Sequence, residues 1–178
     1  MKTVKLHNKE FEMFITETEI SAIVHSMANE INNSVIKDPL FIAVLNGSFL
    51  FAADIMRKIN IPNCEISFIK LSSYLGIEST GEVNELIGLG KNIRNRNVVI
   101  LEDIIDTGIT LEKIISLLEK EEVADIKIAT LLFKPQAYKK EIEIDFIGKS
   151  IPNDFVVGYG LDYDEIGRNL PHIYKLKE

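Results

Sequence analysis

The feature that most constrains the fold of this 178-residue chain is the segment over residues 98–111, which reads Val-Val-Ile-Leu-Glu-Asp-Ile-Ile-Asp-Thr-Gly-Ile-Thr-Leu. Its first four residues are all apolar, as is typical of a strand that is covered on both faces of a parallel sheet. The strand ends at the paired carboxylates of Glu102 and Asp103, and a pattern of apolar side chains at helical spacing begins soon afterwards. The segment therefore predicts a strand, a short turn and a helix.

The turn between this strand and helix has the groups that bind a phosphate and a sugar. Its residues, Asp-Thr-Gly-Ile-Thr at 106–110, offer two hydroxyls, free backbone N–H groups and a helix N-terminus, which together suit an anion. The carboxylates of Glu102 and Asp103 suit the hydroxyls of a sugar or a divalent cation. A phosphorylated ribose meets both conditions. The simpler alternative is a buried strand and a helix whose first turn carries acids that favour its positive end.

Apolar patterns elsewhere alternate between strands and helices. Residues 16–33 predict a helix, in which Thr16 and Glu19 have the spacing of a capping box. A continuous apolar run over residues 40–45 predicts a second buried strand, after which a turn at 46–48 opens a helix that ends at Ile61 and Pro62. Further strands are predicted over residues 64–71, 82–89, 126–133 and 155–159, with a last edge strand in the tail from Pro171.

Strands that alternate with helices indicate an α/β fold with a mostly parallel sheet. We expect a single domain over residues 1–178, in which the N-terminal and C-terminal segments form a small cap over the sheet edge. Ligands of such sheets bind outside the carboxyl ends of the strands. That rule groups four loops on one rim: residues 46–48, residues 72–81, residues 102–110 and the stretch after Phe133. The polar loop at 72–81 has no periodicity, which is typical of an active-site lid.

Composition excludes several classes of protein. The formal net charge of −7 argues against a nucleic-acid partner, which requires a basic surface. No apolar run approaches the roughly 18 residues that a membrane span needs, and the first residues lack the apolar core of a signal peptide. The single cysteine, Cys64, has no partner within the chain for a disulfide and is expected to be structural. We therefore expect a cytoplasmic protein.

Taken together, several segments resemble one family. Two acids, two apolar residues and Asp-Thr-Gly-x-Thr resemble the phosphoribosyl-pyrophosphate motif of the phosphoribosyltransferases. Leu-Asn-Gly-Ser-Phe at 45–49, Ser73-Tyr74, Lys134 and Phe-Val-Val-Gly-Tyr-Gly-Leu-Asp at 155–162 with Arg168 follow in the order and spacing of the members that use 6-oxopurines. The resemblance implies a type I phosphoribosyltransferase fold, with a mostly parallel central sheet flanked by helices and a hood from the two terminal segments.

The resemblance also implies a purine-salvage enzyme that uses Mg²⁺. Its members transfer the phosphoribosyl group of 5-phosphoribosyl 1-pyrophosphate to hypoxanthine, and often to guanine, which gives IMP or GMP and pyrophosphate. They usually form dimers or tetramers, so a homo-oligomer is implied as well. Two alternatives stay open. One is a regulator that binds phosphoribosyl pyrophosphate without catalysis, against which the matches at Asp106, Lys134, Asp162 and Arg168 argue. The other is a transferase that prefers xanthine.

Each matching position has a role in the family. Asp106 matches the catalytic residue, and Lys134 matches the donor to the 6-oxo group, which accepts a hydrogen bond in hypoxanthine and guanine but is an amino donor in adenine. Phe155 matches the ring that stacks on the purine. The resemblance thus implies a ribose and 5-phosphate site of Glu102, Asp103, Asp106, Thr107, Gly108, Ile109 (through its backbone) and Thr110, a pyrophosphate site of Asn46, Gly47, Ser48, Ser73, Tyr74 and Arg168, a purine site of Lys134, Phe155, Val156 and Asp162, and a metal site of Glu102, Asp103 and Asp162.

The pyrophosphate loop departs from the pattern at one position. Many members carry Lys or Arg where this chain has Asn46, so one charged contact with pyrophosphate is missing. Gly47 is retained, and a glycine lets the backbone approach an anion closely. The resemblance further implies a cis peptide bond between Leu45 and Asn46.

Overall fold

The structure is a computed structural model that describes residues 3–71 and 92–177 in full and the backbone of residues 85–87. The expected lid at 72–81, with the predicted pyrophosphate residues Ser73 and Tyr74, lies outside the described residues. The strands are β1 (Thr3–Leu6), β2 (Lys9–Ile15), β3 (Leu40–Val44), β4 (Glu65–Leu71), β5 (Glu85–Ile87), β6 (Asn97–Ile105), β7 (Asp125–Phe133), β8 (Phe146–Ser150), β9 (Val156–Val157) and β10 (Ile173–Leu176), and the helices are α1 (Glu17–Asn32), α2 (Phe49–Met56) and α3 (Ile109–Lys120).

The larger sheet confirms the predicted α/β architecture. Its strand order is β5-β4-β3-β6-β7-β8, in which β4, β3, β6, β7 and β8 pair in parallel and β5 is antiparallel to β4. Side chains of β3 alternate between two apolar cores: Phe41 and Ala43 pack with α1 and α2 on one face, whereas Leu40, Ile42 and Val44 pack with α3 on the other. Burial on both faces explains why the central strands are continuously apolar.

A second, four-stranded antiparallel sheet forms the expected hood from the two ends of the chain, in the order β1-β2-β10-β9. The tail strand was expected at an edge, and that expectation is wrong. β10 lies between β2 and β9 because Val157 of β9 pairs with Tyr174, whose other side faces Met13 of β2. The C-terminal strand therefore ties the N-terminal hairpin to the segment that carries Phe155 and Val156.

Some element boundaries also differ from the predictions. β6 does not end at Glu102 but continues to Ile105, because β7 supplies pairing partners as far as Phe133. The helix predicted to reach Ile61 ends at Met56. The edge strand β8 was not predicted, since its mixed sequence Phe-Ile-Gly-Lys-Ser has no clear alternation. α1 matches its prediction closely: the capping box is present, with the Thr16 N–H donating to Glu19 Oε2 at 2.9 Å.

None of the helices in the described ranges is both long enough and apolar enough to cross a membrane.

Candidate active site

Three loops that follow parallel strands meet on one rim of the larger sheet. Residues 46–48 follow β3, residues 106–108 follow β6, and Lys134 follows β7. The backbone N–H of Lys134 donates to the carbonyl of Ile105 at 3.0 Å, which places the end of β7 beside the start of the turn after β6. The sheet thus brings the predicted residues of three separate segments together.

Two buried acids lie near the carboxyl end of β6, beneath this rim. Glu102 and Asp103 are neighbours on β6 and are only 6% and 9% exposed. Burial, and then the charge of Asp103, raises the pKa of Glu102 well above its ordinary value. Burial also raises the pKa of Asp103 to about 6, against the lowering effects of hydrogen bonds from the backbone and of the charge on Arg168. Two carboxylates with so little water around them are a site that favours a cation.

The loop after β3 lies directly against this pair. The Leu45–Asn46 peptide bond is cis, as the resemblance implied. A Cβ atom built on Gly47 would overlap the carboxylate of Asp103, and one built on Gly160 would overlap the carbonyl oxygen of Gly47. The backbone of Gly47 is therefore enclosed between a side chain of β6 and the loop that follows β9. Both contacts require glycine at these two positions.

The loop after β9 carries the predicted arginine and acid. Arg168 Nη2 lies 2.8 Å from Asp162 Oδ1, and Arg168 Nη1 donates to the carbonyl of Gly160 at 2.9 Å. Asp162 and Arg168 both contribute to the electrostatic environment of Asp103. Since Gly160 also contacts Gly47, the metal and pyrophosphate candidates from three segments form one connected group.

An open cavity of about 100 Å³ lies at the turn after β6 and is lined by Glu102 and residues 104–111. Gly108 has a φ of +82° and stands at the N-cap of α3, so the backbone reverses there and the first N–H groups of the helix remain available to an anion. The side chains of Thr107 and Thr110 are not buried. This geometry suits the 5-phosphate of a sugar, as the sequence predicts.

Asp106, the first residue of this turn, forms an ion pair with Lys134, the first residue after β7. Lys134 Nζ donates to Asp106 Oδ2 at 2.8 Å, and the lysine side chain is only 8% exposed whereas that of Asp106 is 44% exposed. A lysine so deeply buried is rare unless it has a partner. The pair therefore presents one accessible carboxylate and one ammonium group, with further N–H donors, to the same space.

The purine candidates lie on the hood side of the rim. The ring of Phe155 is 43% exposed, and it packs against Phe11 at 6.1 Å and Tyr163 at 5.8 Å between centroids. Lys9 Nζ lies 5.8 Å from the centroid of the same ring. Neighbours on these sides hold the ring in place while leaving part of it open, as a stacking platform requires. Val156 is 5% exposed and belongs to the core.

Two further predicted residues differ in where their side chains lie. The hydroxyl of Ser48 is fully buried and donates to the carbonyl of Val44 at 2.6 Å. The side chain of Ile109 is half exposed, which agrees with a role for its backbone alone. Within the described ranges, no three His, Cys, Asp or Glu side chains are grouped as a complete metal site.

Sequence reasoning missed the residues that support the site from outside. Tyr138 and Lys140 lie over Gly108, close enough that a side chain at Gly108 would meet both. Lys140 Nζ pairs with Glu112 Oε2 of α3 at 2.7 Å, which offsets an acid in the first turn of that helix. The segment from Tyr138 to Lys140 has no periodicity and no motif. Its only sequence signal is that it begins four residues after Lys134.

The charge on Asp103 should make the protein less stable. Its carboxyl has a pKa of about 6 when folded and an ordinary value of 3.8, so the folded state holds the proton more tightly and stability falls as pH rises from about 4 through about 6. Above that range the charged carboxyl therefore lowers the free energy of unfolding. We expect Asp103→Asn to raise the melting temperature at pH 7.5 by several degrees.

The gain should disappear at pH 4, where Asp103 is protonated in the folded protein. Glu119→Gln, which changes an exposed carboxyl on α3, is the matched control. Thermal melts at the two pH values test the argument, and an Asp103→Asn protein that melts no higher than the control at pH 7.5 would contradict it.

Comparison with known proteins agrees with this geometry. The sequence profile of the phosphoribosyl transferase domain family matches residues 15–164. A curated hypoxanthine-guanine phosphoribosyltransferase of Staphylococcus aureus is 42% identical over 174 residues, which are 97% of each chain. A crystal structure of a Bacillus anthracis hypoxanthine-guanine phosphoribosyltransferase has a TM-score of 0.85 and 38% identity over 93% of this chain and 98% of that one.

A third relative is a mutant hypoxanthine phosphoribosyltransferase of Trypanosoma cruzi, solved as a ternary complex with its substrates. It has a TM-score of 0.83 and 34% identity over 93% of this chain and 94% of that one. Family profile, identity and fold agree along nearly the whole chain. The chain therefore belongs to the phosphoribosyltransferase family, among the hypoxanthine-guanine phosphoribosyltransferases.

Proposed function

We propose that this enzyme transfers the phosphoribosyl group of 5-phosphoribosyl 1-pyrophosphate to hypoxanthine and guanine in purine salvage. The observation that carries the proposal is the ion pair of Asp106 and Lys134 beside the turn after β6. It offers a base for the purine's N–H proton and a donor for its 6-oxo group in one place. The ternary substrates complex of the Trypanosoma cruzi relative supports a site that two substrates occupy together.

In the proposed reaction, the bond between C1 of the ribose and the pyrophosphate oxygen breaks and its electron pair leaves with pyrophosphate. A ring nitrogen of the purine forms the new bond to C1 and loses its proton to the carboxylate of Asp106. The same carboxylate offsets the positive charge that builds up on the ribose ring. Lys134 has three N–H donors, so it can bind Asp106 and the 6-oxo group at once.

We propose that the other site residues hold the substrates. The N–H groups and hydroxyls of Thr107, Gly108, Ile109 and Thr110 bind the 5-phosphate, and Glu102 and Asp103 bind the ribose hydroxyls. The backbone of the loop at 46–48, together with Arg168, binds pyrophosphate, for which the planar guanidinium of Arg168 is well suited. Phe155 stacks on the purine, which lies against Val156.

The buried acids fit a magnesium ion. Glu102 and Asp103 are hard oxygen donors whose pKa values are raised by burial, and Asp162 contributes to the same electrostatic environment. We propose that these residues hold Mg²⁺ directly or through water, because this ion prefers a few carboxylates together with water and substrate oxygens. When bound, Mg²⁺ supplies charge that neutralises the pyrophosphate.

A substrate panel tests the proposed function. We expect turnover of hypoxanthine and guanine with phosphoribosyl pyrophosphate and Mg²⁺ and none of adenine, because the adenine amino group cannot accept from Lys134. Absorbance assays with hypoxanthine, guanine, xanthine and adenine offered separately give the result. Efficient use of adenine would contradict the role of Lys134.

The same panel decides between the alternatives. Turnover of xanthine in preference to the other bases would indicate a xanthine-preferring enzyme. Binding of phosphoribosyl pyrophosphate without turnover of any base would indicate a regulator and would contradict the proposed activity.

We also propose that the enzyme acts in the cytoplasm as a single-domain chain that assembles into a homodimer or homotetramer. Ile66 and Phe68 project from the same face of β4 and are 37% and 39% exposed, and such apolar surface is typical of contacts between subunits. The mass of the purified protein, measured by light scattering, tests this, and a monomer at micromolar concentration would contradict it.

A further inference from the structure

A hydrogen bond between residues outside the substrate-binding set joins α2 to the loop that follows β9. The hydroxyl of Tyr159 donates to Asp54 Oδ2 at 2.7 Å, across 105 residues of sequence. Asp54 belongs to α2, the helix that begins directly after the loop at 46–48. Tyr159 lies between the purine residues at 155–156 and the acid at Asp162. Neither residue belongs to the substrate-binding set described above.

We propose that Asp54 and Tyr159 are positioning residues, which hold the segment at 158–162 against the pyrophosphate loop and thereby set the affinity for phosphoribosyl pyrophosphate. The proposal rests on the proposed function, because it assigns a task within that reaction. Two separate contacts hold the segment at 158–162 in place. The hydroxyl of Tyr159 is bonded to α2, and one residue later the backbone of Gly160 abuts the carbonyl of Gly47.

The backbone at this point needs outside support. Tyr159 has a φ of +49°, in the left-handed region that a bulky residue rarely adopts. Its N–H donates to the carbonyl of Leu170 at 2.8 Å, and the N–H of Gly160 donates to the carbonyl of Arg168 at 2.9 Å. Burial, and then the bond to Asp54, raises the pKa of Tyr159, so the hydroxyl keeps the proton that it donates.

The purine strand is anchored independently of this bond. Val156 and Val157 pair with Lys175 and Tyr174 in the hood sheet. The segment at 158–162, by contrast, is held by turn and loop contacts. Loss of the Tyr159 hydroxyl should therefore displace the pyrophosphate side of the site and leave the purine side in place.

The bond can be removed without leaving a buried charge. Asp54 has a side chain that is 39% exposed, and both residues line an open cavity of about 320 Å³ between α1, α2 and the C-terminal segment. Water can therefore solvate the Asp54 carboxylate in a Tyr159→Phe protein. The rest of the tyrosine ring remains packed, so this variant should fold.

Steady-state kinetics test the proposal. We expect Tyr159→Phe to raise the KM for phosphoribosyl pyrophosphate about five- to tenfold, the scale of one lost hydrogen bond, with the KM for hypoxanthine within about twofold. Asp54→Ala should have the same effect. Asp54→Asn should retain nearly the original KM, because its amide oxygen still accepts from the tyrosine. The double variant Tyr159→Phe/Asp54→Ala should be no worse than either single variant.

Three results would overturn the proposal: an unchanged KM for phosphoribosyl pyrophosphate in Tyr159→Phe, an equal rise in both KM values, or Asp54→Asn as impaired as Asp54→Ala. A purely structural role would instead lower the melting temperature without this split between substrates. The unaltered enzyme is assayed in parallel. If it turns over hypoxanthine while the variants fail to show the split, the positioning proposal fails and the proposed function stands.

Discussion

Asp106→Asn is expected to lower kcat about 100-fold or more at saturating substrate, the scale of a lost general base. The amide keeps an oxygen that can accept from Lys134 Nζ, now 2.8 Å from Asp106 Oδ2, so the geometry of the pair should persist. What is lost is the charge, and with it both the affinity for the purine's proton and the stabilisation of a positive ribose. The effect should therefore appear in kcat more than in either KM.

The replacement also leaves the charge of Lys134, whose side chain is 8% exposed, without its carboxylate. We expect some loss of thermal stability for that reason, so the assays are run well below the melting temperature of the variant. Asp125→Asn, at an exposed acid at the start of β7, is the matched control and should keep full activity. A kcat within threefold of the original in Asp106→Asn would remove this residue from the mechanism.

The sequence predicted the local structure around this candidate site well. The acids of β6 and the turn around Gly108 follow from one local pattern, whereas Lys134, at the end of another strand, was singled out by the resemblance to the family. The rule that ligands bind outside the carboxyl ends of parallel strands then grouped these segments, because those ends lie at one edge of the sheet. That topology placed Asp106 and Lys134 on one rim, but the ion pair between them was not predicted.

Contacts between distant segments were not predictable in the same way. The contact of Gly160 with Gly47 and the bond of Tyr159 to Asp54 each join residues more than 100 positions apart, and no periodicity encodes such a pairing. The inner place of β10 in the hood depends on partners at both ends of the chain. The edge strand β8 escaped notice because partial exposure removes the apolar alternation that would reveal it.

Gly47→Ala is expected to lower kcat/KM for phosphoribosyl pyrophosphate about 100-fold, although it adds a single methyl group. That methyl would overlap the carboxylate of Asp103, which is buried in β6 and has a short side chain with little freedom to turn away. The loop cannot retreat either, because Gly160 lies against the carbonyl of Gly47. Either the carboxylate or the loop must shift by about an ångström, and a shift of that size in a catalytic site costs about two orders of magnitude.

A double-mutant cycle distinguishes this steric cause from a general disturbance of the loop. Asp103→Ala removes the carboxylate that the new methyl group would meet, so adding Gly47→Ala to it should cost much less than Gly47→Ala costs in the original enzyme. Both backgrounds are compared through kcat/KM for phosphoribosyl pyrophosphate, with melting temperatures to show that each protein is folded. An equal loss in the two backgrounds would mean that Asp103 is not what excludes a side chain at position 47. A smaller loss of kcat/KM on Gly47→Ala in the Asp103→Ala background would mean that glycine is required at position 47 because the buried carboxylate lies directly against the pyrophosphate loop.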